Sequence, residues 1–232
     1  MGKSYDKLAR GSLNLLDLPF TEGAGTWASG VEKPRHRNTL VGVPAWTTLA
    51  SGINTLLFDG ITDYLECAAA ATADLNFLAG DYSLACWVKM VNTGGALIVM
   101  GKYEINVSGW ELFFFGTTLN LRHSHASLNP DLSDSCYSDG WPADTWCLIG
   151  LSRSGLYPVM YQNGVAQAMF YEASGMQNPD TAVASDLVIG VRYTKNANYY
   201  SGSMWRPRVI NRALTEYEWR LLFNMERKWF GV

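Results

Sequence analysis

Short apolar runs, each ended by a turn residue, recur along the whole sequence and constrain the fold more than any other feature. Residues 81–90 alternate well enough to form one long strand, with the even-numbered side chains from Tyr82 to Val88 on one face. Asn163-Gly164 separates two further runs and favours a hairpin, because both positions of a type I′ turn need positive φ. The pattern predicts about twelve strands, over residues 12–18, 55–58, 63–67, 81–90, 96–101, 110–115, 118–122, 145–152, 156–162, 165–171, 186–191 and 202–210.

One helix is predicted, near the C-terminal end. Thr215 and Glu218 match a Thr-x-x-Glu capping box, and Trp219, Leu222 and Met225 follow at helical spacing. The predicted helix covers residues 213–229 and should lie over a sheet, while residues 1–11 form an N-terminal arm. The sequence contains no internal repeat, low-complexity tract or linker. We therefore predict a single domain over residues 1–232, an all-β, antiparallel two-sheet sandwich with a short C-terminal helix.

Five segments, in this order, resemble the signature of the laminin-G-like, concanavalin A-like jelly-roll superfamily. They are residues 16–26, 56–65, 81–89, 160–165 and 202–218, and the closing Asn-Arg-Ala-Leu-Thr-x-x-Glu is the most specific of them. The resemblance covers residues 12 to about 226 and implies a jelly-roll fold. For function it implies only a range, since the superfamily includes lectins, adhesion modules, glycan-binding appendages of enzymes, glucanases and virion proteins.

The chain lacks the carboxylates that the glucanases of this superfamily use. Those enzymes carry a Glu-x-Asp-x-Glu strand, and no such string occurs here. Glu216 and Glu218 have a similar spacing, but they fall in the first turn of the predicted helix, where carboxylates favour the dipole. No Gly-x-Ser-x-Gly elbow is present either. We predict that the protein is not an enzyme and needs no cofactor, with calcium as the one ion worth testing.

Calcium is considered because Asp59 and Asp63 flank an Asp-Gly turn, and relatives hold this ion with Asp, Asn and backbone oxygens. The alternative is that these residues only form turns. His123 and His125 lie on one side of a predicted strand, and hydrogen bonding at the surface or rim is favoured over zinc. The four cysteines form no Cys-x-x-Cys pair and are predicted to be reduced thiols. A further acidic group is Asp131, Asp134, Asp139 and Asp144.

Aromatic loops carry the best binding signal. Sugar rings and protein partners both stack on aromatic faces while amides and carboxylates take the polar groups. The predicted ligand-binding residues, for a glycan or a partner, are Tyr137, Trp141, Tyr193, Asn196, Tyr199 and Tyr200. The competing interpretation is that these rings pack over the sheet edges.

Charge and hydropathy limit the partners. With 18 Lys plus Arg against 21 Asp plus Glu, no positive field gathers phosphates, so nucleic acid is not expected. The apolar runs are too short to span a membrane, and no signal peptide is evident. Trp and Arg are enriched at interface centres. We therefore predict assembly with other chains through Arg35, Arg37, Trp205, Arg206 and Arg208.

Two functions follow from these observations. The first is a non-catalytic structural or adhesion protein of a virus, in particular of a phage, made in the host cytoplasm and displayed on the virion as a decoration, fibre or minor component. It would contact other virion proteins or copies of itself, and cell-surface glycans. The alternative is a stand-alone carbohydrate-binding module.

Overall fold

Two antiparallel sheets face each other across one core in the computed structural model, which describes residues 14–32, 35–126, 133–171 and 175–232. The strands are β1 (Asn14–Asp17), β2 (Trp27–Ser29), β3 (Arg37–Val41), β4 (Ala45–Thr48), β5 (Asn54–Asp59), β6 (Tyr64–Cys67), β7 (Tyr82–Met90), β8 (Ala96–Glu104), β9 (Ser108–Phe115), β10 (Thr118–Ser124), β11 (Ser133–Ser138), β12 (Cys147–Arg153), β13 (Val159–Gln162), β14 (Val165–Ala166), β15 (Phe170–Tyr171), β16 (Leu187–Ile189) and β17 (Ser201–Ile210).

The eight-stranded sheet has the order β14-β13-β12-β7-β17-β5-β4, and β1 also pairs with β17. The nine-stranded sheet has the order β15-β11-β10-β9-β8-β16-β6-β3-β2. Many neighbours in these sheets, such as β7 with β17 and β8 with β16, are far apart in the chain, so connections cross repeatedly from one sheet to the other. This arrangement confirms the predicted two-sheet sandwich.

A helix, α1 (Glu216–Glu226), forms a third layer on the outside of the eight-stranded sheet and continues into a 3-10 turn, Arg227–Trp229. The predicted capping box is confirmed, because the backbone N–H of Glu218 donates to Thr215 Oγ1 (3.4 Å) and that of Thr215 to Glu218 Oε2 (2.9 Å). Gly150 on β12 allows the helix to approach closely, since a Cβ there would lie 2.7 Å from the Trp219 ring.

Alternation along β7 is confirmed, and both faces of this strand are buried. Tyr82 faces the other sheet, where its hydroxyl donates to His123 Nε2 on β10 at 2.6 Å. Trp87 faces the opposite way and stacks on Phe223 of α1. The four cysteines are buried and free, which confirms the predicted reduced thiols.

The predicted surface or rim position of His123 and His125 is wrong, because both side chains are buried, although both rings do make hydrogen bonds. The Nδ1 atoms of the two rings lie 2.8 and 2.9 Å from the carbonyl oxygens of Gln177 and Asn178, and His125 Nε2 lies 3.0 Å from Asp134 Oδ2. Burial lowers the pKa of His123 to about 3. These histidines hold the segment around Gln177 against the sheet.

The sequence pattern missed four strands, β2, β3, β4 and β11, and joined β14 and β15 into one. Four of these, β2, β4, β14 and β15, lie at sheet edges, where a weakly apolar strand suffices because one side makes no pairing. Residues 1–11, the predicted arm, lie outside the described residues, as does Asp131. Among the helices that the structure describes, none is long and apolar enough to cross a bilayer.

Candidate binding groove on the nine-stranded sheet

The outer face of the nine-stranded sheet carries aromatic side chains where polar ones are usual. On β9, Trp110, Leu112 and Phe114 point into the core, so alternation sends Phe113 and Phe115 outward. An antiparallel sheet with one solvated face normally presents polar residues there. Phe115 is 60% exposed. Outward aromatic rings on a central strand therefore mark this face as a candidate contact surface.

A groove of about 350 Å³ runs over β9, β10 and β11 on this face. We call it the outer-face groove. It is lined by Phe113, Phe115, Thr118, Asn120, Arg122, Ser135 and Tyr137. All seven belong to paired strands, so backbone hydrogen bonding fixes their positions.

Strand register arranges the lining in three rows across the sheet. In the middle row Asn120 lies opposite Phe113 on one side and Tyr137 on the other. One flanking row pairs Thr118 with Phe115, and the other places Arg122 between Glu111 and Ser135. Successive rows are two residues apart along a strand, or roughly 6–7 Å. The groove therefore presents aromatic, amide and cationic groups in a fixed order.

Tyr137 forms the aromatic wall of the groove. Its ring stacks on Phe170 of the edge strand β15, with centroids 5.2 Å apart and planes 18° from parallel. Phe170 thus covers one face of the ring, and the other face borders the groove. A wall held from behind by a second ring presents a flat apolar surface at little entropic cost.

Hydrogen-bonding groups lie beside this wall. The Asn120 side chain donates from Nδ2 to the Thr118 carbonyl at 3.0 Å, which fixes the orientation of the amide. Within the described ranges, neither the Asn120 amide oxygen nor the Ser135 hydroxyl accepts a hydrogen bond from a protein group. The groove therefore offers hydrogen-bonding capacity that the protein itself does not use.

Arg122 provides the charge of the groove. Its guanidinium lies over the Phe113 ring at 4.8 Å, and Nη1 is 3.7 Å from Glu111 Oε1, longer than a hydrogen bond. Burial raises the pKa of the Glu111 carboxyl, against the opposing effect of Arg122 and Arg192. Glu111 is buried and is not among the residues that line the groove, so the exposed charge is positive.

Comparison with known proteins identifies the family. The sequence profile described as the concanavalin A-like lectin/glucanases superfamily, a laminin G-like family, matches residues 59–218. The chain belongs to this superfamily. A search of curated protein sequences gave no match.

Solved structures with a similar fold include toxin binding domains. They include the binding domain of Paraclostridial Mosquitocidal Protein 1 (TM-score 0.70, 11% identity, 92% of this chain and 52% of that one) and the botulinum neurotoxin serotype G binding domain (0.71, 10%, 92% and 51%). A third is the botulinum neurotoxin serotype D ligand binding domain in complex with N-acetylneuraminic acid (0.71, 13%, 94% and 53%). This superfamily member thus spans about half the length of those domains, and at such identities the likeness shows the fold.

Three of the predicted binding residues lie on a loop over the same sheet face of this superfamily member. Tyr193 meets the β8 ring Tyr103 edge-on at 5.7 Å, and Tyr199 donates its hydroxyl to the Lys195 carbonyl at 2.8 Å. Lys195 joins Glu66 and Asp186 by ion pairs of 2.6 and 2.7 Å, which fastens the loop to the sheet. Asn196 is exposed at the loop tip. Of the predicted residues, the groove itself contains Tyr137 alone.

Two predicted binding rings are buried, which corrects their assignment. Trp141 donates from Nε1 to the Ser138 carbonyl at 3.0 Å and meets Phe114 edge-on in the core. Tyr200 is also fully buried and meets Phe58 edge-on. Neither ring has a free face for a ligand, so for these two the packing interpretation holds.

The Asp59 and Asp63 carboxylates bind backbone instead of forming a cation site. Asp59 Oδ1 accepts from the N–H groups of Ile61, Thr62 and Asp63 at 2.8 to 3.0 Å. Asp63 accepts from the N–H groups of Val43 and Asp59 at 2.8 and 3.1 Å. Across the residues with described positions, no group of three or more His, Cys, Asp or Glu side chains could hold a metal. These contacts favour the alternative interpretation, turn formation.

The predicted assembly residues Trp205, Arg206 and Arg208 are buried within the chain, so they cannot form an external contact. Arg206 and Arg208 share Glu226 of α1, and Arg206 also binds Asp17 of β1. This ion-pair network holds the helix on its own sheet. Arg35 and Arg37 are exposed, Arg37 over the Trp27 ring at 4.7 Å, and their role in assembly stays a prediction.

Sequence reasoning missed Phe113, Phe115, Asn120 and Arg122. A signal was present, because the run from Leu112 to Phe115 is apolar at consecutive positions in a strand of an antiparallel sheet. Such a run places apolar groups on both faces. Choosing between a covered face and a binding face required knowing that α1 covers the other sheet.

Proposed function

We propose that this protein is a carbohydrate-binding module and that the outer-face groove is its sugar site. The observation that carries the proposal is the middle row, in which the Asn120 amide stands beside the Tyr137 ring on rigid paired strands. A pyranose ring has an apolar face and a polar rim, and this row offers a partner to each. A botulinum neurotoxin ligand binding domain, about half of which matches this chain's fold, was crystallised with N-acetylneuraminic acid, which supports sugars as the ligand class to test.

We also propose that the groove binds without catalysis. A glycosidase needs two carboxylates about 5 Å apart for retention, or further apart for inversion. None of the residues lining the groove is acidic, and the nearby Glu111 has an Arg122 guanidinium as its neighbour instead of a second acid. Display on a virion, which the sequence reasoning placed first, stays a prediction. An adhesive role there would use the same sugar site.

Glycan-array screening followed by calorimetry on the best ligand tests the proposal. Tyr137→Ala should weaken binding by about 1 kcal/mol or more, roughly fivefold, because it removes the stacking wall. Tyr217→Ala is the matched control, since Tyr217 is 72% exposed on α1, on the other sheet's side of the molecule. Equal losses in the two variants, or no sugar bound at all, would refute the assignment.

A further inference from the structure

We infer that the sugar bound in the outer-face groove is acidic, with its carboxylate on the Arg122 guanidinium. This inference rests on the proposed sugar site and adds the ligand's charge and direction. Three observations support it: the positive charge of the lining, the order of the rows, and the restraint of the Arg122 side chain before a ligand binds.

The charge of the lining is unbalanced. Arg122 is the one charged residue among the seven that line the groove, and its side chain is 31% exposed. The carboxylate that partly compensates it, Glu111, is only 4% exposed and lies 3.7 Å away. An arginine fork has five N–H donors, and its protein neighbours are Glu111 and the Tyr103 hydroxyl, so donors remain for a ligand. A ligand carboxylate can therefore bind in the bidentate manner that guanidinium favours.

The arginine is also held in place before a ligand arrives. Its guanidinium rests on the Phe113 ring, and the strand pairing of β10 with β9 and β11 fixes its backbone. An arginine already restrained loses less side-chain entropy on binding than one free in solvent. This distinguishes Arg122 from arginines such as Arg220, which is 60% exposed and pairs with Glu216 on α1.

The order of rows gives the ligand a direction. Arg122 and Ser135 form the row next to Asn120 and Tyr137, so a ring stacked on Tyr137 has the guanidinium at its neighbouring edge. At the other end of the groove, Thr118 donates its hydroxyl to Asp139 at 2.6 Å. The groove thus runs from a cationic end to an acidic end, four residues apart along β10, or roughly 13 Å. An acidic unit is attracted to the first end and repelled from the second.

The experiment is isothermal titration calorimetry with matched acidic and neutral sugars, namely sialyllactose against lactose and trigalacturonate against galactotriose. The wild-type protein should bind the acidic member of at least one pair about tenfold or more tightly, as a charge-assisted hydrogen bond provides. Arg122→Gln should reduce the affinity for the acidic sugar to that for its neutral partner. It should change the affinity for the neutral sugar by no more than about twofold. Arg220→Gln, the matched control, should change neither.

Arg122→Lys is a second variant, which separates loss of the charge from loss of the packing on Phe113. It keeps the charge and loses the fork, so it should retain part of the preference for the acidic sugar. Thermal unfolding of both variants checks that the sheet is intact. Preference unchanged in a folded Arg122→Gln protein would overturn the inference.

Other outcomes separate this inference from the proposed function. If acidic and neutral sugars bind equally and Tyr137→Ala weakens both, the sugar site stands and the charge preference is wrong. If polyglutamate or sulfated lactose binds as tightly as sialyllactose, the groove is a general anion site and the inference fails. If no sugar binds the wild-type protein, the proposed function fails and the inference fails with it.

Discussion

His36 and His123 are both buried, yet their surroundings shift their proton affinities in opposite directions. Burial disfavours the charged form of each ring. At His36 this is outweighed by a 2.8 Å contact with Glu32 and the nearby charge of Asp74, so its pKa is raised from 6.5. His123 has the Tyr82 hydroxyl and the Gln177 carbonyl as partners instead, and its pKa falls to about 3. Carboxylates make the difference between them.

The raised pKa of His36 predicts a loss of stability as the pH rises above 6.5. The folded protein holds a proton there that the unfolded chain releases near pH 6.5, so this stabilisation is complete below pH 6.5 and lost as the pH rises through the folded pKa. Urea unfolding of wild type and His36→Gln across about pH 5 to 9 measures it. The stability difference between the two proteins should shrink with rising pH, and a constant difference would contradict the assignment.

His123 predicts the reverse dependence. The unfolded chain takes up a proton below pH 6.5 that the folded ring accepts only near pH 3, so this site costs up to about 1.4 kcal/mol of stability per pH unit as the pH falls between those values. His123→Gln should therefore flatten the acid side of the stability curve relative to wild type. An unchanged acid slope in the variant would show that the ring is protonated when folded.

Residue types in loops predicted ligand contacts less well than they predicted turns. Trp141 and Tyr137 lie four residues apart in a segment with the same polar neighbours, yet one ring is core and the other lines the groove. The direction of each ring depends on tertiary packing, here on Phe114 for Trp141 and on Phe170 for Tyr137. No local pattern contains those partners. The turn-forming role of Asp59 and Asp63 was easier to predict, because turn formation depends on only a few neighbouring residues.

At the level of elements, β17 shows how a local irregularity defeats a pattern. Its register with β7 shifts between Trp205 and Arg208, and Arg206 has a φ of 54°. Met204 and Val209 point into the core, while Trp205, Arg206 and Arg208 all contact α1 or the turn after it. Strict alternation would separate Trp205 from Arg206. The bulge therefore gathers the residues that the sequence suggested as an external interface and turns them onto the protein's own helix.

Glu226 is the carboxylate that compensates the charges of Arg206 and Arg208. It accepts hydrogen bonds from Arg206, Arg208 and the Trp87 indole in a fully buried position. Glu226→Ala should cost about 3–5 kcal/mol, because it leaves buried guanidinium charge uncompensated. Glu216→Ala, which removes an exposed pair with Arg220 on the same helix, should cost under about 1 kcal/mol. Chemical denaturation measures the free energy of unfolding of both variants. Similar losses of stability in the two would contradict a stabilising role for the buried ion-pair network.

The helix and the long strands could be predicted because their signals are local. A capping box and helical spacing define α1 within the predicted residues 213–229, and alternation defines β7. Edge strands such as β2 and β4 gave no such signal, since most of their side chains are exposed or only partly buried. The groove was beyond local signals, because its rows join three strands whose pairing is set by the whole sheet.

For the whole molecule, the three layers cover the two sheets to different extents. The eight-stranded sheet lies between the core and α1, whereas the nine-stranded sheet has the core on one side only. The Tyr82 contact with His123 joins the sheets, and the Glu226 network joins α1 to β17 and, through Arg206, to β1. We expect these layers to unfold together.

Urea unfolding followed by tryptophan fluorescence and by far-ultraviolet circular dichroism should give coincident curves. The nine tryptophans report on both sheets and on α1, while the dichroism reports on backbone structure. A dichroism change that precedes the fluorescence change would mean that α1 detaches first, contrary to this expectation.

The three rows of the outer-face groove exist only in one alignment of β9, β10 and β11. A slip of one residue would turn Leu112, Leu121 and Cys136 outward and bury Phe113, Arg122 and Tyr137. In the proposed sugar site, ligand affinity would therefore report on strand alignment as well as on surface chemistry. A variant that keeps its strand content but misaligns these strands would lose ligand binding. Spectra that report on backbone structure would not detect this change.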